Sequence, residues 1–378
     1  MRIWVIGRKY PTPENNMIGS FELEQAQMLA KRGIEVIYPV LDIRSIKKWR
    51  KFGFLTSDAQ GVTVEKLSVP VGGLLSKLTR GKIKQLLTKK LYSHLVNKYG
   101  TPDIIHIHYP SIFNPAPFAA LQAQGVRLVV TEHYTKVQKK ELSEKLLNNL
   151  TWFAKHADAF LCVGEPLKKS IEELTGTDRP IRVVPNVVSS LFTYRPEQRT
   201  ENQDFRFVAA GRLVACKCFD LLIHAFMDAF GGQEHMLLDI IGNGEEYDHL
   251  KKIIEERGAQ KQVTLLGVMN REKVAAYFQK CDALVLSSNL ETFGVPVIEA
   301  MASGLPVVTS DAIGFMSYIN KNNGIAFPAD DRVSLMEAMK TLYQDYQRYD
   351  LRSISEEAQN NFGEDSVFNM LYSIYTGS

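Results

Sequence analysis

Two glutamates eight positions apart, Glu291 and Glu299, have the types and spacing to do chemistry. The apolar runs 283–286 and 305–308 on either side predict two neighbouring parallel strands, with one short helix between them. Glu291 would follow the first strand and Glu299 would lie on the helix, at the sheet edge where open α/β sheets bind ligands. Ionised carboxylates accept hydrogen bonds and donate none, so this pair suits the vicinal hydroxyls of a sugar or a ribose. A pair of glutamates considered alone would be interpreted as solvated surface charges.

A second group of candidate residues is Gly211, Arg212 and Lys217. A strand is predicted over 205–210 and a helix over 221–230. Strand, glycine and helix in this order leave backbone N–H groups facing an anion. Arg212 offers a forked set of donors and Lys217 a point charge, which together suit a diphosphate. Two cations near a glycine are otherwise ordinary surface charges.

Polar side chains also end two predicted strands in the first half of the chain. The strand within 103–110 carries His106 and His108 on one side, because strand side chains alternate with period two. His108 would lie at the carboxyl end of that strand, and Glu132 and His133 end the next one. A strand histidine is usually a satisfied core residue, and His106 is interpreted as structural.

Glycines mark two further turns. Gly19 precedes an amphipathic helix that Gly33 ends, and its position lets backbone N–H groups face an anion. A plain strand-to-helix turn is the alternative interpretation. Gly242 and Gly244 follow the strand predicted over 237–241, where close backbone approach could admit a base.

Strands alternate with helices throughout, which predicts an α/β protein, and 378 residues suit two domains. The chain has no run of eighteen apolar residues, and its first residues are too short an apolar stretch for a signal peptide, so we expect a cytoplasmic protein. The four cysteines lack paired ligand spacing, and we expect reduced thiols.

The net charge of +3 conceals an uneven distribution. Residues 1–190 carry about 28 Lys and Arg against about 16 Asp and Glu, whereas the rest carry about 17 against about 26. A basic half suggests an anionic partner such as a phosphorylated acceptor, a phospholipid surface or nucleic acid. Residues 74–99 contain no acid and predict a basic amphipathic helix, which is either a solvated face or a surface that docks on anionic lipid. Its cations are Lys77, Arg80, Lys82, Lys84, Lys89, Lys90 and Lys98, and changing Lys82, Lys84, Lys89 and Lys90 to Gln would test docking on lipid.

Together these motifs resemble those of the retaining, nucleotide-sugar-dependent glycosyltransferases called the glycogen-synthase-like or family 4 group. The stretch 287–311 resembles the family's two glutamates separated by seven residues, 211–217 its pyrophosphate clamp, and 106–110 its strand-end histidine. The resemblance covers most of the chain and implies the GT-B fold, an α/β fold with two facing Rossmann-like parallel-sheet domains and an interdomain cleft. Departures from the family pattern occur at Ile18, Cys218, Ile313, Met316 and Ser317.

The resemblance implies transfer of a hexose-type sugar from a nucleoside-diphosphate sugar to an acceptor hydroxyl, with retention and without a metal or other cofactor. It assigns the catalytic roles to His108, Glu291, Arg212 and Lys217. It also assigns donor binding to Gly19, Gly211, Arg212, Lys217, Gly242, Gly244, Glu291, Thr292, Phe293, Gly294 and Glu299. The acceptor side would include Glu132 and His133.

The implied domains are an acceptor-binding domain over 1–190, a donor-binding domain over 191–361, and a helix over 362–378 that packs back on the first domain. Expected partners are the sugar nucleotide, a glycan or lipid-linked acceptor, and an anionic membrane surface through 74–99, but no nucleic acid. The implied setting is synthesis of cell-surface polysaccharide, lipopolysaccharide or glycolipid, at the inner face of the membrane.

Two other functions fit the same architecture. A nucleotide-sugar epimerase would need an internal acid and base, and no clear set is present. The presence of Glu291, Arg212, Lys217 and His108 argues against a catalytically silent sugar-nucleotide-binding subunit, and donor turnover with a crude lipid acceptor would decide. A dinucleotide oxidoreductase is disfavoured because no Gly-x-Gly-x-x-Gly follows the first strand.

Overall fold

A computed structural model describes residues 1–11, 19–45, 47, 50–71, 77–198 and 204–377. The chain divides into two compact units, Met1–Val184 with Phe368–Ser378, and Pro185–Val367. This division falls earlier than the boundary predicted after residue 190. Each unit has its own mainly parallel sheet covered by helices, so the predicted α/β class with two parallel-sheet domains is confirmed.

The sheet of the first unit has eight strands. In chain order they are β1 (Arg2–Ile6), β2 (Glu35–Ile43), β3 (Gly53–Ala59), β4 (Val62–Val69), β5 (Ile104–His108), β6 (Arg127–Glu132), β7 (Ala159–Cys162) and β8 (Ile181–Val183). Their spatial order is β3-β4-β2-β1-β5-β6-β7-β8, and all are parallel except the edge strand β3, which is antiparallel to β4. The sequence did not predict β3, although Gln60 and Gly61 both have positive φ, the signature of a tight two-residue hairpin turn.

Six of the α-helices that the structure describes belong wholly to the first unit. They are α1 (Ser20–Lys31), α2 (Lys77–Tyr99), α3 (Ala116–Gln122), α4 (Thr135–Gln138), α5 (Glu144–His156) and α6 (Glu165–Thr175). The predicted start of α2 at residue 74 lies outside the described residues. No helix of the described part of the chain is long and apolar enough to cross a membrane.

The predicted basic helix exposes only some of its cations together. One side of α2 is exposed and carries what we call the basic face, formed by Lys82, Leu86, Lys89 and Lys90. Lys84 precedes the buried Leu91 by seven residues, so it lies on a different side of the helix. Of the four lysines chosen to test lipid docking, Lys84 therefore lies apart from the other three, and docking itself stays a prediction.

The second unit has a six-stranded, fully parallel sheet. Its strands are β9 (Phe205–Ala210), β10 (Met236–Ile241), β11 (Val263–Gly267), β12 (Ala283–Leu286), β13 (Val307–Ser310) and β14 (Gly324–Phe327), in spatial order β11-β10-β9-β12-β13-β14. Its helices are α7 (Phe219–Phe230), α8 (Tyr247–Glu256), α9 (Arg271–Phe278), α10 (Val295–Ala302), α11 (Arg332–Gln344) and α12 (Leu351–Phe362). A final helix, α13 (Glu364–Thr376), belongs to the first unit from Phe368 onward.

The strands around the candidate site are buried on both faces, as predicted. All residues of β12 and β13 are buried, and the two strands pair in parallel. Phe226 and Phe230 of α7 pack on Phe207 of β9 in the core of this unit. A rigid sheet of this kind holds the loops at its carboxyl edge in defined positions.

Candidate functional site

The loop that carries Glu291 is held by the helix that follows it. Gly294 caps α10 with φ of 106°, a left-handed conformation that favours glycine, and Pro296 occupies the first turn, where its missing N–H costs nothing. Phe293 is buried and packs on Phe315, with 4.8 Å between ring centroids. The side chain of Glu291 therefore projects from a loop whose backbone is fixed on both sides.

Lys217 and Glu291, which are 74 positions apart in the chain, form an ion pair in the structure. Their side chains are only 16% and 14% exposed. The hydroxyl of Ser287, just after β12, donates to the backbone oxygen of Lys217 at 2.8 Å. The second unit thus brings together one predicted clamp cation and the first predicted glutamate.

Arg212 differs from Lys217 in its surroundings. Its side chain is exposed and, within the described part of the chain, takes part in no ion pair. It follows Gly211 at the carboxyl end of β9, on the same loop as Lys217. An exposed guanidinium at this strand end is available to an anionic ligand.

Cys218 occupies the position where the family pattern has glycine. Its backbone has φ of 50° and ψ of 41°, the left-handed conformation that glycine adopts most readily, and it caps α7. Its thiol lies 3.5 Å from the backbone oxygen of Ala215 and 3.7 Å from Oδ1 of Asp330. Burial raises the pKa of the Cys218 thiol to about 11, so this side chain stays protonated. The departure from glycine therefore preserves the turn.

The glycines of the predicted base-binding turn serve first to pack two loops together. A Cβ atom at Gly242 would overlap the backbone oxygen of Gly211, and one at Gly244 would overlap that of Leu213. The N–H of Leu213 donates to the backbone oxygen of Asn243 at 3.1 Å. The close backbone approach predicted here is therefore an approach to the clamp loop, and contact with a base stays a prediction.

Glu299 has a cationic partner that the sequence analysis missed. Its carboxylate is 6% exposed and lies 2.7 Å from Nη2 of Arg271, which also stacks 5.3 Å from the ring centroid of Phe192. Burial raises the pKa of Glu299, and the Arg271 charge opposes that rise. The missed signal was Asn270, whose side chain accepts from the N–H of Lys273 and so begins α9 just before Arg271.

The residues at 313–317 that depart from the family pattern pack against the loop that carries Glu291. Ile313 is buried, and a Cβ atom at Gly314 would overlap the backbone oxygen of Thr292. The N–H of Gly314 donates to the backbone oxygen of Phe293 at 3.1 Å. Met316 and Ser317 form part of a single 3-10 turn. This segment therefore supports the loop that carries Glu291, whereas its own contact with a donor stays a prediction.

In the first unit, three histidines form one stack, which we call the histidine cluster. It consists of His106, His108 and His133. The rings of His106 and His108 are 4.5 Å apart, which confirms that they share one side of β5, and His108 Nδ1 lies 2.9 Å from His133 Nε2. Burial lowers the pKa of all three, that of His108 to about 3, so the rings are neutral near pH 7.

His106 and His108 differ in how completely their nitrogens are used. His106 bonds through Nδ1 to the hydroxyl of Tyr375 at 2.6 Å and through Nε2 to that of Thr131 at 2.7 Å, as expected for a structural residue. Nε2 of His108 is buried and has no hydrogen-bond partner in the described part of the chain. An unused ring nitrogen at a strand end is suited to a substrate hydroxyl.

Glu132 is occupied by the protein's own backbone. One oxygen accepts from the N–H groups of His133 and Tyr134, each at 2.9 Å, and the other accepts from the N–H of Ser111 at 3.2 Å. Its carboxylate is fully buried, and burial raises its pKa. Glu132 therefore holds the turn that places His133, while the contact of either residue with an acceptor stays a prediction.

The turn at Gly19 requires glycine for a local reason. Its φ is 87°, and a Cβ atom there would overlap the backbone oxygen of Lys9. In the next turn of chain, the carboxylate of Glu22 is fully buried, and neither oxygen has a hydrogen-bond partner among the described residues. Its nearby cation is Arg8, whose guanidinium stacks 4.6 Å from the ring centroid of Tyr109. Ile18 lies outside the described residues.

Metal ligands are not gathered anywhere in the described residues, where no group of three or more His, Cys, Asp or Glu could hold an ion. All four cysteines are free thiols.

Comparisons with known proteins agree with these motifs. A family model described as "Glycosyltransferase Family 4" matches residues 21–190, and one described as "Glycosyl transferases group 1" matches residues 192–361. Glycogen synthase of Mycobacterium tuberculosis is 25% identical over 65% of this chain and 61% of its own length. Alpha-monoglucosyldiacylglycerol synthase of Acholeplasma laidlawii is 23% identical over 78% of this chain and 71% of its own length.

A solved structure of the Anabaena protein HepE, in complex with UDP and glucose, superposes on this chain with a TM-score of 0.72. The superposition covers all of both chains at 17% identity, which shows a shared fold. The two family models match the chain from residue 21 to residue 361 apart from residue 191. The predicted membership is thus confirmed, and the chain belongs to the family 4 glycosyltransferases of GT-B fold, with a Family 4 domain followed by a group 1 domain.

Proposed function

We propose that this glycosyltransferase moves a hexose-type sugar from a nucleoside-diphosphate sugar to an acceptor hydroxyl, with retention of the anomeric configuration. The observation that carries the proposal is the ion pair between Lys217 and Glu291. Lys217 lies on the same loop as the exposed Arg212. A point charge and a forked donor set at one strand end suit a diphosphate. HepE, which shares the fold and was solved with UDP, supports a ligand of this class.

In this proposal, electrostatic stabilisation provides most of the catalysis. Cleavage of the bond between the anomeric carbon and the phosphate oxygen places negative charge on the leaving diphosphate and positive charge on the sugar. Arg212 and Lys217 neutralise the leaving group, in the role that a metal ion has in other enzymes. The acceptor oxygen bonds to the same face of the anomeric carbon, and its proton passes to an oxygen of the leaving phosphate.

The carboxylates hold the donor. A phosphate that takes up the charge of Lys217 frees Glu291 to accept hydrogen bonds from the hydroxyls of the hexose. Glu299, paired with Arg271, accepts hydrogen bonds from the hydroxyls of the ribose. His108 donates or accepts one hydrogen bond to the transferred sugar through its unused Nε2.

The proposed setting is the synthesis of cell-surface polysaccharide, lipopolysaccharide or glycolipid. The similarity to a synthase of monoglucosyldiacylglycerol supports a lipid-linked acceptor. The basic face of α2, with the exposed Leu86 among its lysines, would hold the protein at an anionic membrane surface. No nucleic acid is required by this proposal.

The test is a screen of nucleoside-diphosphate sugars for donor consumption and for a raised melting temperature, because a ligand that binds only the folded state stabilises it. We expect one donor to be consumed, with the anomeric configuration of the product identical to that of the donor by NMR. Lys261→Ala, at an exposed pair with Glu234, is the control variant and should not change turnover. The absence of any consumed donor, or an inverted product, would contradict the proposal.

A chelator arm tests the metal-free part separately. We expect EDTA to leave turnover unchanged, because the proposed charge stabilisation comes from Arg212 and Lys217. Activity that disappears in EDTA and returns with magnesium would show that a metal carries this role.

A further inference from the structure

The first unit contains a cavity of about 530 Å³ that none of the preceding roles uses. It lies at the carboxyl end of β1 and β2 and is closed on one side by α2. Its lining includes Gly7 and Tyr38 from the sheet side and Thr88 and Tyr92 from α2. Its size lies within the range of small-molecule sites, about 300–1,000 Å³, and its place in the sheet is where such sites occur.

The lining of this cavity is strongly basic. Its only acidic residue among those described is Asp42. The basic residues in the lining are Arg8, Lys9, Arg44, Lys66 and Lys84. Five cations and one carboxylate around a cavity of this size favour an anionic occupant, since each unbalanced charge attracts the opposite sign more strongly in a low-dielectric recess.

The single carboxylate does not balance these cations. Asp42 accepts from Nε and Nη2 of Arg44 at 2.8 and 2.9 Å and from Nε of Arg50 at 2.8 Å, and it lies 3.3 Å from Nζ of Lys66. Arg50 stands behind the lining, where it also bonds to the hydroxyl of Ser68 at 2.9 Å. One negative charge is thus shared among three cations, and two of these face the cavity.

Lys84 and Arg8 add charge from other elements. Lys84, on α2, has no carboxylate partner in the described ranges, and its Nζ lies 6.0 Å from the ring centroid of Phe113. Arg8 follows β1, and the buried Glu22, which is not in the cavity lining, offsets part of its charge. These cations reach one cavity from β1, β4 and α2, so they differ from a row of solvated charges along one side of a helix.

We propose that this cavity binds an oxyanion group, a phosphate or carboxylate, of the acceptor. The inference rests on the proposed function and adds the chemical class of its acceptor. Phe113, Leu91 and Tyr92 provide an apolar wall for the uncharged part of the molecule, while the cations bind its charged group. Binding of this oxyanion group gives a role to part of the excess of basic residues in the first half of the sequence.

The test uses inorganic phosphate as the probe, measured by isothermal titration calorimetry at low ionic strength. Because the clamp of the second unit could also bind phosphate, the parent protein carries Arg212→Ala and Lys217→Ala. We expect Lys84→Gln and Lys66→Gln to weaken phosphate binding about tenfold each, the effect of losing one charge-assisted hydrogen bond. Lys155→Gln, an exposed lysine of the first unit outside the cavity, should leave the affinity unchanged. Equal affinities in all three variants, or no binding to the parent, would overturn the proposal.

A competition arm distinguishes the sources of the oxyanion. Displacement of phosphate by phosphatidylglycerol vesicles identifies a lipid headgroup, and displacement by glycerol phosphate alone identifies a soluble acceptor. If neither displaces a phosphate whose binding depends on Lys84, the acceptor assignment is wrong. Donor consumption by the wild-type protein is measured separately, so failure of the glycosyl-transfer proposal is distinguishable from failure of this one.

Discussion

Replacement of Lys217 by alanine should affect both catalysis and stability, because this residue pairs with Glu291 in the protein itself. We expect turnover to fall about a hundredfold or more, the scale on which loss of a donor to a developing charge slows a reaction. The ion pair is neither surface-exposed nor fully buried, since its side chains are 16% and 14% exposed. Its loss should lower the free energy of unfolding of the second unit by about 1–3 kcal/mol, between the values for surface and buried pairs.

Arg212→Ala provides the matched comparison. Its side chain is exposed and makes no ion pair with a described residue, so we expect a similar loss of turnover with a change in unfolding free energy within about 0.5 kcal/mol. Lys217→Met is a second control, because it keeps the aliphatic stem that packs beside Gly211 and removes only the charge. It should lose as much turnover as Lys217→Ala.

The assay has two parts. Donor consumption is measured at saturating donor, and stability is measured by hydrogen exchange of peptides from β12 and β13. Tryptophan fluorescence is unsuitable for this unit, since all three tryptophans precede residue 190. Turnover close to the wild-type value in both Lys217→Ala and Arg212→Ala would refute the diphosphate clamp. Unchanged exchange in Lys217→Ala would refute the structural role of the pair.

Three further predictions concern other parts of the chain. Arg271→Met leaves the buried Glu299 without its cation and should lower the free energy of unfolding of the second unit by about 3 kcal/mol. The double variant Arg271→Met with Glu299→Gln should lose less than Arg271→Met alone. If hydrogen exchange shows that the double variant loses the sum of the two single losses, the two residues are not coupled. Acidification from about pH 7.5 to about pH 5.5 should lower the melting temperature of the first unit, followed by tryptophan fluorescence. Histidines of the unfolded chain take up protons below their ordinary pKa near 6.5, whereas the buried histidine cluster stays neutral. One pH unit below that pKa, this difference lowers the free energy of unfolding by about 1.4 kcal/mol per ring. A melting temperature that rises on acidification would contradict this prediction. Finally, the protein should sediment with anionic but not neutral vesicles at low salt, and should not sediment with either in about 1 M salt. The Leu86→Gln variant should sediment less with anionic vesicles, because it loses the exposed apolar side chain of the basic face. Failure of the wild-type protein to sediment with either kind of vesicle at low salt would show that the basic face is only solvated.

Local pattern was sufficient to predict the strands and helices that carry the site. Strands β9 and β12 match their predicted bounds, because runs of β-branched and apolar residues ending at polar or glycine positions define a buried parallel strand. The edge strand β3 was missed because it is polar and half-exposed, so neither periodicity nor burial distinguishes it from a loop.

The sequence also determined which residues were candidates, but the family pattern did not describe their surroundings. Cys218 illustrates the difference. This departure from the family's glycine left the local backbone angle undetermined in the sequence, whereas the structure gives it a left-handed conformation with the thiol packed near Ala215 and Asp330.

Pairings between distant residues were decided only by the tertiary structure. Lys217 meets Glu291 because β9 and β12 are neighbours in the sheet, and Glu299 meets Arg271 because α9 and α10 belong to one unit. On α2, periodicity separates Lys84 from Lys82 and Lys89, but the packing of residues such as Leu91 decides which side of the helix is buried. The order of strands and the faces that pack against them depend on long-range burial, and a local pattern contains no record of which distant segment supplies the other surface.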